Sequence, residues 1–352
     1  MKTSKYIFLA LAAILLMVSC GKKEKKSYDE MASSGFTTRT ENLRANLKAF
    51  AQKGTLVGQE YATLEGIGWQ CDSDRSDMRS ICGDRPAAIA YELAGIETGQ
   101  KTNRDGLPFS ELRRDVLENF RRGALIAMNW TCPDYHGDEA VLKQYTQNLA
   151  KFLDSLQNDY GIKAPVVLFL YPLDGQSWYC SLSKEDYAKL YKQTQELLDD
   201  FDTTNTVFGY SETFRQNTDY MARLSGCEVD VVNATCLQPQ TDTDPAHYAA
   251  NLQSAIEKAL PLATEHNCAF GLTTGMESVP DSSIFAGVIL PQLKAHHVAY
   301  LLFGGNHGEL KDGHFYLPCP GDGNDKIHGF MQLFNDDVTV FMSRLNGLYL
   351  EH

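Results

Sequence analysis

Residues 269–303 read AFGLTTGMESVPDSSIFAGVILPQLKAHHVAYLLF. A short apolar run at 269–273 gives way to an amphipathic stretch at 283–296 and then to a second apolar run at 298–303. Strand, helix and strand in that order predict two parallel strands joined by a helical crossover. The pattern repeats outward from this unit. Further strand-like runs fall at 55–58, 87–93, 124–130, 166–171, 207–210 and 229–234, and further helix-like stretches at 109–122, 138–160, 184–201 and 245–266. Eight strand-plus-crossover units with no break in composition predict one α/β domain over residues 38–352, closed as a (β/α)8 TIM barrel. A doubly wound open sheet is the alternative, but no glycine-rich phosphate loop follows an early strand.

A barrel of this kind carries its chemistry on the loops after the strands. That directs attention to Gln59 and Glu60, 131–136, 174–178, Ser211 and Glu212, 233–238, 273–277 and 304–309. The acids there are Glu60, Asp134, Asp174, Glu212, Glu277 and Glu309, any two of which are candidates for an acid pair. Taken singly, a solvated loop carboxylate is the safer reading of each. Trp130, Trp178, Trp69 and Tyr135 sit on or beside the mouth, where aromatic faces suit the apolar faces of sugar rings. Taken singly, each reads equally well as rim or core packing. Asn306 and His307 follow two glycines and are candidate ligand contacts, with loop capping as the plain alternative.

The chain has 352 residues, with 32 Lys and Arg against 45 Asp and Glu, a net charge of −13. That excludes the basic footprint of a nucleic-acid binder. Six lysines and a single acid, Glu24, fall within residues 1–26, so the remaining body is more acidic than the average, near −18.

Lys2 and Lys5 precede an apolar run, 6–18, too short to span a bilayer stably and shaped like a secretion signal. It ends LMVSC, which resembles a bacterial lipoprotein processing box with Cys20 as the lipidated residue. The expectation is a leader at 1–20, a polar flexible tether at 21–37 and attachment to the cell envelope, at the outer membrane on either face. Eight cysteines follow Cys20; Cys71/Cys82 and Cys227/Cys236 are near enough in sequence to pair after export, and buried free thiols are the equal alternative. His307, Glu309, Asp312 and His314 match no standard metal spacing, and no metal or cofactor is expected. His296 and His297 end a helix-like stretch, where a favourable dipole placement suffices to explain them.

Several collinear stretches resemble glycoside hydrolase family 26, best known for endo-β-1,4-mannanases. They are LVGQEY (56–61), DMRSICGDRPAAIAYELAGIE (77–97), FRRGALIAMNW (120–130), FGYSETF (208–214), YMARLSGCEVDVV (220–232), residues 271–303, HFYLPCPG (314–321) and FMQLFNDDVTVFMSRLNGLY (330–349). The resemblance implies the barrel fold and retaining hydrolysis of a β-linked saccharide by two carboxylic acids. It places the acid/base after the fourth strand, where YPLDGQSW keeps proline, leucine and tryptophan but offers only Asp174 on a loop about two residues shorter. It places the nucleophile in LTTG, at Thr273. The family's histidine after the third strand falls on Thr131, its sixth-strand tyrosine near Leu237, and its Trp-Arg pair on Gly304 and Gly305.

An unactivated hydroxyl does not replace a nucleophilic carboxylate. The expectation is therefore a barrel that binds an oligo- or polysaccharide of mannan type without cleaving it, in a glycan-utilisation setting that includes uptake proteins. The alternative is an active glycoside hydrolase that uses a relocated carboxylate pair, and a scaffold in a glycan-uptake assembly is the third reading.

Overall fold

The structure, a computed structural model, describes residues 29–214 and 227–351. The leader, Cys20, the first part of the tether and residues 220–226 of the YMARLSGCEVDVV stretch lie outside the described residues.

Eight parallel strands form the barrel: β1 (Thr55–Glu60), β2 (Ala88–Glu92), β3 (Leu125–Trp130), β4 (Val166–Leu170), β5 (Thr206–Thr213), β6 (Val231–Gln238), β7 (Ala269–Met276) and β8 (Tyr300–Phe303). Each pairs with the next, and β8 returns to β1 with Leu56 opposite Tyr300, which closes the cylinder. A ninth short strand, β9 (Thr339–Val340), lies beside the start of β1, with Thr55 opposite Thr339.

The period of two along each strand assigns every side chain to one of two cores. Leu56, Ala88, Leu125, Val167, Val207, Val231, Ala269 and Tyr300 point into the barrel, all buried. Val57, Ile89, Ile126, Leu168, Phe208, Val232, Phe270 and Leu301 point outward into the layer shared with the helices. Full burial of a side chain of this size is worth roughly 1.5–3 kcal/mol, so the two layers hold the strands in register.

Inside the barrel the large rings are matched to glycine. A Cβ on Gly209 would lie 2.3 Å from Phe169 Cε1, and one on Gly271 would lie 2.0 Å from Tyr300 Cζ. The Tyr300 hydroxyl donates to Asn233 Oδ1 at 3.1 Å, so the buried phenol is satisfied and props up the layer above it.

The helices are α1 (Thr38–Ala51), α2 (Asp77–Cys82), α3 (Phe109–Arg122), α4 (Glu139–Ser155), α5 (Lys184–Asp200), α6 (Pro245–Glu265), α7 (Leu290–Ala295) and α8 (Asn324–Asn335). α3 has the bounds expected from its periodicity. α4 stops at Ser155, short of residue 160, because Asn158 Oδ1 accepts the N–H groups of Tyr160 and Ile162 at 2.9 and 3.1 Å and builds a turn instead. The stretch 283–296 divides into a π-helical turn, Ile284–Ile289, and α7, next to the N–H that Pro291 lacks.

α1 touches β1, β5 and β7, strands on different sides of the cylinder, and buries Leu43, Leu47 and Ala51 in the interior cluster. It therefore stoppers the end of the barrel where the strands begin. Residues 29–37, expected as the end of a flexible tether, are instead fastened to that end. Arg39 and the Lys163 N–H both bond Asp29, at 2.7 and 2.9 Å, and the Thr37 N–H donates to Thr204 O at 2.9 Å. Polar composition hid these bonds, since their partners lie far along the chain. Cys71, Cys82, Cys132, Cys180, Cys227, Cys236, Cys268 and Cys319 are free thiols; burial pushes Cys227 up to about 11 and Cys236 up to about 12.

Candidate functional site

At the open end of the barrel, the parity that builds the core also decides which side chains meet a ligand. The inward series Ala88, Ala90 ends on Glu92, the series Leu125, Ala127 on Asn129, and the series Ala269, Gly271 on Thr273. Glu60, Glu92, Asn129, Thr131, Ser211, Thr213, Asn233, Thr235 and Thr273 line a cavity of about 150 Å³, together with Arg104, Pro172, Leu173 and Asp174. Ala90, Ala127, Phe169 and Leu302 add apolar surface to its lining.

Glu92 ties the ends of two strands together through its carboxylate. Its Oε1 accepts the N–H groups of Leu93, Ala94 and Thr131 at 3.0, 2.8 and 3.2 Å. Its Oε2 accepts Thr131 Oγ1 at 2.9 Å and faces Arg104 Nη2 at 3.3 Å. Burial raises its pKa, while Arg104 and these donors pull against the rise. Arg104 is held in place by the loop that follows β2: its N–H donates to Ala94 O, and the neighbouring Asn103 ties Glu92 O to the Tyr61 hydroxyl.

Glu60 is different. Burial first, then the nearby charges of Glu92 and Asp105, push it up to about 7, against the opposing pull of the Gly305 N–H and Arg104. A carboxyl that holds its proton near neutral pH donates a hydrogen bond where an ordinary glutamate only accepts. In β1 and β2, Glu60 lies opposite Ala90, so Glu92 is a diagonal neighbour on the same inner face.

The two positions that the family resemblance assigns to catalysis both lie on the cavity wall. Asp174 serves as the cap of its own short loop: Oδ1 accepts the N–H groups of Gln176 and Ser177, each at 2.8 Å, and Oδ2 accepts Ser177 Oγ at 2.7 Å. Burial would raise its pKa, yet these bonds outweigh burial and leave it lowered, the wrong direction for a proton donor. Thr273 exchanges hydrogen bonds with the Asn233 amide at 3.2 and 3.3 Å. Thr131 is the partner of Glu92. Gly304 lies so close to the Tyr316 ring that a Cβ would come within 2.6 Å of it.

Several expected contacts lie elsewhere. Trp130 is fully buried on the outer side of β3, with its indole N–H donating to Glu97 at 3.1 Å. Glu212 has the outward parity of β5 and accepts the hydroxyl of Tyr210. Asn306 is buried as a hub: its Oδ1 accepts from Gln59, Tyr316 and Leu317, and its Nδ2 donates to Asp77. Glu277 binds His314 Nδ1 at 2.8 Å and the Gln240 N–H at 3.0 Å, away from the cavity wall. Asp134 is exposed and pairs with His136, and His307 stacks on His314 with ring centroids 5.1 Å apart. Tyr135 and Trp178 pack edge to face on the rim at 5.5 Å, and the Trp178 N–H donates to Cys132 O.

Glu92, Arg104 and Asn129 were not among the expected site residues. Glu92 and Asn129 carry a signal in the sequence, as the last inward positions of AIAYE and LIAMNW. Arg104 carries none, because only the fold of its loop brings it to Glu92.

No protein-family model matches the chain, and no curated protein matches it. Solved structures do. A GH26 β-mannanase from Bacteroides ovatus superposes with a TM-score of 0.81 at 26% identity, covering 90% of this chain and 98% of its own. The GH26 endo-β-1,4-mannanase catalytic domain of Bacillus sp. JAMB-750 gives 0.75 at 18% identity, covering 94% and 97%. A modular endo-β-1,4-mannanase from Cellulomonas fimi gives 0.73 at 19% identity, covering 91% and 79%.

Proposed function

Starting from the glycoside hydrolase family 26-like fold of this chain, we propose that it is a saccharide-binding barrel that holds a mannan-like or other β-linked glycan at its mouth without cleaving it. The observation that carries this reading is Thr273 on the cavity wall, its hydroxyl shared with the Asn233 amide, where retaining chemistry needs a carboxylate. The self-capped Asp174 supports it from the opposite requirement, since a leaving oxygen needs an acid that still holds its proton. Incubation of the purified protein with mannans, other β-glycans and aryl glycosides tests the reading. The expected result is affinity without products; turnover abolished by Asp174→Asn or Glu60→Gln would overturn it.

A second reading is favoured by one observation, the raised pKa of Glu60 beside Glu92. In it, Glu60 protonates the glycosidic oxygen while Glu92 attacks the anomeric carbon or draws a proton from water. It ranks second because the Glu92 oxygens already accept four hydrogen bonds and pair with Arg104, so the carboxylate is committed to holding the two mouth loops.

We further propose that the chain is carried on a lipid at Cys20, in a bacterial envelope and within a glycan-utilisation system. The lysine start, the short apolar run and the cysteine after LMVS support this. Membrane-extracted protein should carry the mass of an acylated N-terminus, and Cys20→Ser should release it unmodified.

A further inference from the structure

A saccharide-binding mouth can receive either the end of a glycan or an internal stretch of it. Three features bear on this. The cavity is about 150 Å³, below the roughly 300–1,000 Å³ of pockets that enclose drug-sized ligands, and has room for one pyranose unit. None of the three indoles expected near the mouth lines it: Trp130 belongs to the outer core, Trp69 is buried with its N–H on Asp77, and Trp178 is engaged with Tyr135 and Cys132. Among the described residues Phe169 is the single aromatic residue on the wall, so these residues offer successive rings of a chain no row of platforms.

The polar groups of the wall are unevenly committed. Asp174, Thr273, Asn233 and Glu92 are tied to protein partners. The amide of Asn129 makes no hydrogen bond to any group among the described residues and lines the cavity, which leaves a donor and an acceptor for ligand hydroxyls. Charge narrows the ligand further. Among the described residues, Glu60, Glu92 and Asp174 share the wall with a single cation, Arg104, whose guanidinium is already paired with Glu92. An anionic sugar would be brought against carboxylates with no uncommitted positive partner among the described residues of the wall.

Resting on the saccharide-binding reading, we propose that the mouth takes a single uncharged pyranose at the end of a β-linked glycan, bound through the open amide of Asn129 in the cavity between Glu60 and Asp174, and does not take an internal stretch of chain. A pocket for one unit recognises chain ends, and its affinity does not grow with chain length.

Calorimetric titration of the full chain with β-1,4-linked manno- and gluco-oligosaccharides of one to six units, and with oligomannuronate, tests this. The expected result is a Kd constant within about threefold from two to six units, at least tenfold weaker binding of the uronate, and about tenfold loss at every length in Asn129→Ala, the scale of one neutral hydrogen bond. Asn129→Asp provides a second, isosteric probe and is expected to weaken binding as well. Affinity that rises more than about tenfold from two to six units, or equal binding of the uronate, would overturn the end-binding proposal and leave saccharide binding intact. No heat with any neutral oligosaccharide would overturn both, so the two failures are distinguishable.

Discussion

Glu92, the last residue of β2, accepts both the N–H and the hydroxyl of Thr131, just past the end of β3, at 3.2 and 2.9 Å. One carboxylate thus fixes the first residues of two successive mouth loops and also holds Arg104. Glu92→Gln and Thr131→Val should each destabilise the protein by about 1–3 kcal/mol, since each leaves a buried partner unsatisfied. The double variant should cost less than the sum, with a coupling of about 1 kcal/mol in urea denaturation. Strict additivity would show that the pair does not act as one clamp.

Trp130 tests how the mouth is built. Its indole packs against Tyr171 at 5.5 Å between ring centroids and donates to Glu97, all in the outer core. Trp130→Ala should cost about 3–5 kcal/mol of stability by leaving a large cavity. At a temperature where the variant remains folded, its saccharide affinity should match that of the parent within a factor of about three. A selective loss of affinity at unchanged stability would return Trp130 to the binding surface.

Gly271 and Tyr300 test the floor. Gly271→Ala would drive a methyl into a rigid buried ring, and should cost about 1–3 kcal/mol or more through strain. Because the Tyr300 hydroxyl holds Asn233, which in turn holds Thr273 and Ser211, the damage should also reach the cavity wall. Tyr300→Leu opens space, so in the Gly271→Ala background it should restore part of the lost stability. A double variant weaker than the sum of the two singles would contradict that packing.

How much of this was legible before the structure depends on how local each signal is. The eight strands are written in short apolar runs, and α3 in a helical period bounded by Gly123, because both depend on neighbours in sequence. The parity that selects the site is also local. In AIAYE the small residues Ala88 and Ala90 face the crowded interior and Ile89 and Tyr91 the helices, so Glu92 points inward; the same count turns Trp130 and Glu212 away from the ligand. What was not legible came from distant partners. Asn306 is buried by bonds to Gln59 and Asp77, more than 200 positions away, and the Thr37 segment by a bond to Thr204. A polar residue near a glycine pair reads as a loop until the partner that buries it is known.

Glu60 provides the pH test. Its pKa in the folded protein is about 7, above the ordinary glutamate value of 4.5, so the folded state holds this proton more tightly than the unfolded one. The sign follows: its ionisation is unfavourable to folding, and its contribution declines as pH rises from about 4.5 to about 7, then stays low. A shift of that size corresponds to about 3 kcal/mol in a dry site, and water at the mouth reduces it to about 2 kcal/mol. Glu60→Gln removes the ionisation while keeping the shape. It should therefore match the parent at pH 4.5 and exceed it by about 2 kcal/mol at pH 8, as read from urea midpoints at the two pH values. The same variant separates the two functional readings, since a binding site loses at most one hydrogen bond to the ligand, whereas a hydrolase loses its acid and all turnover with it. A stability difference that does not change between pH 4.5 and 8 would mean that Glu60 ionises as an ordinary surface carboxylate, and the acid-pair reading would lose its only support.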